Sequence, residues 1–351
     1  MSSTDTISIS NRVTSKDSET TNEKAKLFAL AEPYLSALQE FFRKEILEFE
    51  PEVQELVEYA LTNSGKRLRP ILVYMSGAGI GADFSEDLVK GGAIVEFVHL
   101  ATLVHDDILD HAAVRHSRSS VMNKYGSSVA VLLGDALFSH ALKLASDFPT
   151  VDICKIVSIA TRKVCAGEIN QTFLRGHEIS LKDYFHSIEL KTAELFKASC
   201  NVGAILGGQG KEFIEASVLF GQHLGTAYQI YDDLVDCIGS EDKAGKTLGT
   251  DLATGKYTLP IILLFEKLDS VEKEALLKEL KESSTRPNAI ARINELVSEN
   301  DILNASLGYL NKEIEAAQNI LKDHASEPAG QSLLMLLAFF QKKVTQLSSS
   351  E

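Results

Sequence analysis

Apolar residues recur at intervals of three and four along most of this 351-residue chain. Leu56, Ala60 and Leu61 form one such set, and Leu195, Ala198, Val202 and Ile205 another. That spacing gathers apolar side chains on one face of an α-helix. No run alternates apolar and polar β-branched residues as a half-buried strand does. The periodicity predicts helices over residues 26–49, 51–62, 67–79, 86–111, 128–147, 151–175, 181–207, 211–238, 257–268, 271–284, 288–298, 301–323 and 328–347. The seven prolines (Pro33, Pro51, Pro70, Pro149, Pro260, Pro287 and Pro328) fall mostly at the edges of these segments, where a residue without an N–H is tolerated. Nothing between them reads as an interdomain linker. The expected fold class is all-α, with one domain over residues 26–351 built as a large bundle. Residues 1–25, rich in Ser, Thr, Asp and Glu, have neither the apolar stretch of a secretory signal nor the arginines of a transit peptide, and read as a disordered tail.

Composition narrows the function classes. The chain is 44% hydrophobic, enough for a sizeable core, and its net charge of −14 argues against general nucleic-acid binding. Cys154, Cys165, Cys200 and Cys237 show no zinc-ligand spacing and read as reduced core thiols. No apolar run looks like the ~20 residues of a bilayer span. The expectation is a cytoplasmic protein without a membrane span.

The sequence Asp-Asp-x-x-Asp occurs twice, as Asp106, Asp107 and Asp110 and again as Asp232, Asp233 and Asp236. Each copy ends an apolar helical run. Three carboxylates at one helix end cost too much to leave unpaired near a core, and hard divalent cations suit them. Basic residues follow each motif: Arg115, His116 and Arg118 after the first, Lys246 and Lys256 in glycine-bearing segments after the second. Gly65-Lys66-Arg67-Leu68-Arg69-Pro70 is a further basic cluster at a helix start, where backbone N–H groups favour an anion. Metal-binding carboxylates facing cations make a clamp for a polyphosphate. His99, seven residues before Asp106, shares its helix face; by itself it reads as a core histidine.

Taken in order, Gly65-Lys66-x-x-Arg69-Pro70, His99 with Ala101-Thr102-Leu103-Val104-His105-Asp106-Asp107-x-x-Asp110, Gly134-Asp135, Gly167-Glu168-x-x-Gln171, Lys191-Thr192-Ala193, Gln229-Ile230-x-Asp232-Asp233-x-x-Asp236, Gly245-Lys246 and Gly255-Lys256-x-Thr258-Leu259-Pro260 closely resemble the trans-isoprenyl diphosphate synthases, or polyprenyl synthetases. The resemblance covers roughly residues 30 to 345. It implies an isoprenoid synthase-type bundle of long helices around a deep central cavity, a homodimer, and Mg²⁺-dependent head-to-tail condensation of an allylic diphosphate with isopentenyl diphosphate. It also implies roughly three Mg²⁺ ions per site, with Mn²⁺ as an alternative. By resemblance, Asp106, Asp107, Asp110, Asp232, Asp233 and Asp236 are metal ligands, direct or through water. Arg115, Lys191 and Lys246 hold the allylic diphosphate, and Lys256 approaches it on closure. Lys66, Arg69 and His99 form the isopentenyl diphosphate pocket, and Thr192 and Gln229 turn oxygen dipoles toward a carbocation.

His116 stands where the family usually has a second arginine, so weaker isopentenyl diphosphate binding is expected. Ala101 and Thr102 are the fifth and fourth residues before Asp106, and neither is bulky. The family's floor lies there, so a product longer than C15 is expected, of the long-chain type that passes to membrane enzymes. Two alternatives stay open: a reduced-activity or regulatory subunit of a heteromeric synthase, and a class I terpene cyclase.

Overall fold

The structure, a computed structural model, describes residues 26–27, 29–62, 65–115, 118–238, 250–282 and 284–348. The expected tail at 1–25 lies outside the described residues, as do His116 and Lys246. The helices are α1 (29–46), α2 (Pro51–Thr62), α3 (Leu68–Gly77), α4 (Glu86–Leu109), α5 (Val121–Tyr125), α6 (Ser127–Ser146), α7 (Asp152–Leu174), α8 (Leu181–Ile188), α9 (Glu194–Leu206), α10 (Lys211–Ile238), α11 (Thr250–Ala253), α12 (Leu259–Lys267), α13 (Ser270–Lys281), α14 (Arg286–Glu299), α15 (Ile302–Ile320) and α16 (Pro328–Ser348). The expected all-α architecture is present. The periodicity missed α5 and α11, both too short to show a repeat. It also missed a hairpin of two-residue strands, Val114–Arg115 paired antiparallel with Arg118–Ser119.

Local chemistry sets the helix starts. The Ser85 side chain accepts the Leu88 N–H at 3.3 Å to open α4, and Ser180 forms a reciprocal capping box with Asp183 to open α8. The segment expected as one helix over 181–207 is broken by a π-helical turn at Glu189–Ala193. Such turns widen a helix locally and re-aim its side chains.

Two apolar clusters form the core. One gathers α1, α2, α4, α6 and α7 around Phe42, Phe97 and Leu137; the other gathers α10, α12, α15 and α16 around Phe220, Leu264 and Leu310. Helices α3 and α9 contribute to both. They touch through small residues: a Cβ on Gly203 would lie 2.1 Å from the Val73 carbonyl oxygen, and one on Gly207 2.1 Å from that of Gly77. Any side chain there would push α3, and the basic cluster at its start, away from α9.

Contrary to the sequence expectation, α4 and α6 are each long and apolar enough to cross a membrane by length and composition. The most apolar stretch of α4 is 72% buried within the protein, as for a core helix, whereas that of α6 is only 44% buried.

Candidate active site

Helix α4 ends at the first acidic motif and α10 near its C-terminal end carries the second. Between them lies a cavity of about 400 Å³ lined by Asp106 of the first motif and Asp232, Asp233 and Asp236 of the second. Lys191 and Thr192 reach it from the π-helical turn. That turn is gripped on both sides: a Cβ on Gly167 of α7 would lie 2.7 Å from the Lys191 nitrogen, and one on Gly225 of α10 2.6 Å from the Ala193 Cα. Arg69, His99, Thr102, Arg115, Gln229 and Lys256 complete the polar lining among the expected residues, and Leu103, Val164, Ile188 and Leu195 supply an apolar wall.

The first motif is wired to cations. Lys191 Nζ pairs with a Glu168 carboxylate oxygen, donates to Gln171 Oε1 at 3.1 Å and lies 3.7 Å from Asp106. Burial alone would lower the Lys191 pKa, but Asp106 and Glu168 outweigh it and hold the ammonium charged. Burial raises the pKa of Asp106 despite Lys191, whose closer partner is Glu168. Asp110 takes Arg175 at 2.6 Å and Lys256 at 2.9 Å. Burial works to raise its pKa, yet those two cations bring it below the usual carboxylate range. Lys256 is aimed by a turn through Gly255, at φ 78°, with its N–H donated to the Asp251 carbonyl.

Asp107 was expected at the metal, but its side chain turns away from the cavity. It is 2% exposed and receives the Arg115 Nε at 2.7 Å. Asp106 lines the cavity and Asp107 does not. Asp107 instead holds Arg115 at the cavity edge. Lys66 is exposed and outside the cavity lining. Ala101 is fully buried in the apolar cluster, while its neighbour Thr102 lines the cavity.

Asp233 of the second motif meets neutral donors. Tyr184 donates to Asp233 at 2.6 Å and Gln229 Nε2 donates to its other oxygen at 2.8 Å. The Gln229 amide is fixed in turn by Thr192, whose hydroxyl donates to Oε1 at 2.7 Å. Burial, then the nearby Asp251, push the Asp233 pKa up to about 8. Asp236 faces the Asp251 N–H at 3.4 Å.

The basic pocket lies beside α4. Arg69 Nη1 lies 2.9 Å from His99 Nε2, and the guanidinium sits 4.8 Å from the centroid of the Phe196 ring. A guanidinium can only donate, so in this contact Nε2 takes the acceptor role. The expected all-cationic pocket therefore consists here of a fixed arginine with a histidine acting as a hydrogen-bond partner.

Arg175, Tyr184 and Asp251 also line the cavity but were not singled out from the sequence. Arg175 follows α7 and pairs with Asp110 across 65 positions, which no local spacing reveals. Asp251 lies in the run between Gly249 and Gly255, already marked by its lysine-bearing glycine segments.

Among the described residues, no three His, Cys, Asp or Glu groups converge as a ready-made metal centre. The carboxylates still fit divalent cations. Asp106, Asp232, Asp233, Asp236 and Asp251 line one cavity, a donor set of oxygen ligands of the kind hard cations take. Mg²⁺ is commonly held by one or two carboxylates with water and substrate phosphate, and needs no closed protein cage.

A helical bundle with two acidic motifs on facing helices above an apolar-walled cavity defines the isoprenoid synthase class. The polyprenyl synthetase family model matches residues 50–298, and the chain belongs to that family. It is 28% identical over 308 residues to an octaprenyl diphosphate synthase from Haemophilus influenzae, covering 88% of this chain and 93% of the relative. It is 31% identical over 283 residues to heptaprenyl diphosphate synthase component 2 from Bacillus subtilis, covering 78% of this chain and 79% of the relative. A polyprenyl synthase from Caulobacter crescentus CB15, solved with calcium and isoprenyl diphosphate, superimposes with a TM-score of 0.79 at 28% identity over 90% of this chain and 96% of that one.

Proposed function

We propose that the protein is a trans-polyprenyl diphosphate synthase that condenses isopentenyl diphosphate with an allylic diphosphate to a product longer than C15. One observation carries this reading: aspartates over a hundred residues apart in sequence line a single cavity that also holds Lys191, Arg69 and an apolar wall. Loss of the allylic diphosphate separates charge, so a site that lowers this barrier must stabilise the departing anion. Mg²⁺ between the two acidic clusters would supply that stabilisation by neutralising the diphosphate oxygens. Lys191, Lys256 and Arg115 are placed to bind the same anion. Arg69 and His99, in the lining of the same cavity, would bind the second diphosphate. The Thr192 and Gln229 oxygens keep lone pairs for the cation that ionisation leaves, since each uses only one contact to the other. Water is kept from that cation by Leu103, Val164, Ile188 and Leu195.

Product length is set by the apolar wall. Thr102 and Leu103 face the growing chain, so Leu103→Phe should shorten the product by at least one isoprene unit. Ala101→Phe, inside a packed core, should chiefly cost about 1–3 kcal/mol of stability. Mass spectrometry of hydrolysed products from purified enzyme, given farnesyl diphosphate with and without isopentenyl diphosphate, tests the whole reading. Elongated prenols that require both substrates support it; a cyclic hydrocarbon from farnesyl diphosphate alone would replace it with a cyclase.

We also propose a homodimer through α6 and α7. Val131, Leu132 and Leu142 on α6 and Ile159, Ile169 and Phe173 on α7 are exposed, Phe173 at 76%. The α7 three fall on one helical face. Multi-angle light scattering should give twice the chain mass, and Phe173→Glu should shift the protein toward monomer. The Bacillus relative is named a component 2, which makes a different subunit the competing partner; a chain that stays monomeric alone would favour it.

A further inference from the structure

The Gly167-Glu168-x-x-Gln171 segment of α7 brings a carboxylate to the site that the proposed reaction does not use. Glu168 does not line the cavity, although Gln171 three residues on and Arg175 just past the helix end do. Its side chain is 13% exposed, and it reaches two cations at once. One carboxylate oxygen pairs with Lys191 Nζ, and the other lies 3.8 Å from an Arg175 guanidinium nitrogen. Each of those cations is shared with the first acidic motif. Lys191 lies 3.7 Å from Asp106, and Arg175 donates to Asp110 at 2.6 Å. Glu168 is thus the middle of a chain of alternating charge that runs Asp106, Lys191, Glu168, Arg175, Asp110. Its neighbour Gly167 lets α7 approach the π-helical turn closely: a Cβ there would lie 2.9 Å from the Leu190 Cβ. That close approach sets Glu168 beside Lys191.

We propose that Glu168 is a positioning residue for the allylic diphosphate: from outside the cavity lining it holds Lys191 and Arg175 in place for the anion when Asp106 and Asp110 are engaged by divalent cations. The proposal rests on the reading of Lys191 as a diphosphate ligand and of the first motif as a metal site. Without a metal, Asp106 and Asp110 each share in holding one of the two side chains. A carboxylate bound to a divalent cation has less charge to offer a neighbouring ammonium or guanidinium. Lys191 and Arg175 then keep one anionic partner between them, and it is Glu168. Gln171, an uncharged acceptor at 3.1 Å, is a weaker hold on Lys191. Long side chains already fixed lose less rotamer freedom when the diphosphate arrives. The plainer role for Glu168, a counter-charge to two buried cations, predicts the opposite sign. Removing a negative charge beside the anion would then strengthen diphosphate binding.

The test uses the full-length enzyme and its Glu168→Gln and Glu168→Asp variants. Steady-state rates are measured with farnesyl diphosphate and isopentenyl diphosphate varied separately. Calorimetry of inorganic diphosphate in Mg²⁺, with isopentenyl diphosphate saturating the second pocket, reads the anion site without turnover. Calorimetry of isopentenyl diphosphate in EDTA reads the Arg69 pocket. Glu168→Gln keeps the side-chain volume and removes the charge. It should raise KM for farnesyl diphosphate and Kd for inorganic diphosphate about tenfold, as loss of one charge-assisted contact does, and leave both isopentenyl diphosphate constants within about twofold. Glu168→Asp, which keeps the charge, should recover part of that loss. The effect of Glu168→Gln on Kd should be less than additive with that of Lys191→Met. Inorganic diphosphate bound by Glu168→Gln as tightly as by wild type, or more tightly, would overturn the proposal and leave Glu168 a counter-charge. Equal losses for both substrates would also overturn it, since a loosened fold acts on both pockets. Should Glu168→Gln not fold, the same two comparisons in Glu168→Asp decide. Wild-type enzyme that binds inorganic diphosphate with Mg²⁺ but condenses nothing would instead refute the proposed reaction.

Discussion

The two acidic motifs share the same spelling and meet at the same cavity, yet their carboxylates live in different company. Asp106, Asp107 and Asp110 face Lys191, Arg115, Arg175 and Lys256. Asp233 instead accepts from a phenol and an amide, and Asp236 faces a backbone N–H. The electrostatic consequence runs in opposite directions: Asp110 is held below its ordinary pKa by two cations, and Asp233 is pushed up to about 8 by burial. Motif spelling therefore does not fix protonation. The contrast is between Asp110, which two cations reach, and Asp233, which neutral donors reach.

The sharpest way to break this comparison is Asp232→Asn, which removes a cavity-lining carboxylate without a cut in volume. It should lower kcat about 10²–10³-fold and raise the Mg²⁺ concentration needed for half-maximal rate. A loss under tenfold would mean that Asp232 does not hold the metal. Next in size is Lys191→Met, which leaves Asp106 and Glu168 to share a partly buried space without their ammonium. Urea unfolding should show a loss of about 2–3 kcal/mol, below the range for a fully buried pair because Lys191 keeps some contact with solvent.

The pH dependence of stability separates Asp233 from Asp110 by sign. An Asp whose folded pKa exceeds its unfolded value stabilises the fold most when both states are protonated. That contribution falls between the unfolded pKa, about 3.9, and the folded one, by about 1.4 kcal/mol per pH unit. For Asp233 the window ends near pH 8. Asp233→Asn should therefore remove a loss of stability that wild type shows as pH rises from 5 to 8. Asp110→Asn should act at the other end, flattening the loss that wild type shows on acidification, because its folded pKa is depressed. Coincident melting curves for wild type and Asp233→Asn at pH 5 and pH 8 would refute the contrast. The smallest effect is expected of Asp107→Asn. Freeing Arg115 should raise the allylic KM by about three- to tenfold and leave the Mg²⁺ requirement unchanged; a shifted Mg²⁺ requirement would restore Asp107 to the metal.

Much of the helical framework could be read from local pattern. Apolar period, prolines and caps act within a few residues, so α2, α4, α6, α7, α10 and α16 lie within a few residues of where the periodicity put them. The π-helical turn escaped that reading because a hydrogen bond moved by one residue leaves the apolar spacing on either side intact. The half-exposed face of α6 escaped too: its sequence is apolar enough for a buried helix, and only the absence of a covering layer in the described chain shows otherwise.

The chain's own letters determined that long helices would form and that carboxylates would crowd at two of their ends, because both depend on neighbours in sequence. They also carried the ordered motifs by which the family is known. Tertiary packing decided which carboxylates look into the hollow. Asp107 pairs with Arg115 eight positions on, whereas Asp106 and Asp110 find Lys191, Arg175 and Lys256 from distant segments. Packing likewise raised the Asp233 pKa and set the contact of His99 with Arg69, since burial and hydrogen bonding belong to the assembled environment and are written in no single stretch of the chain.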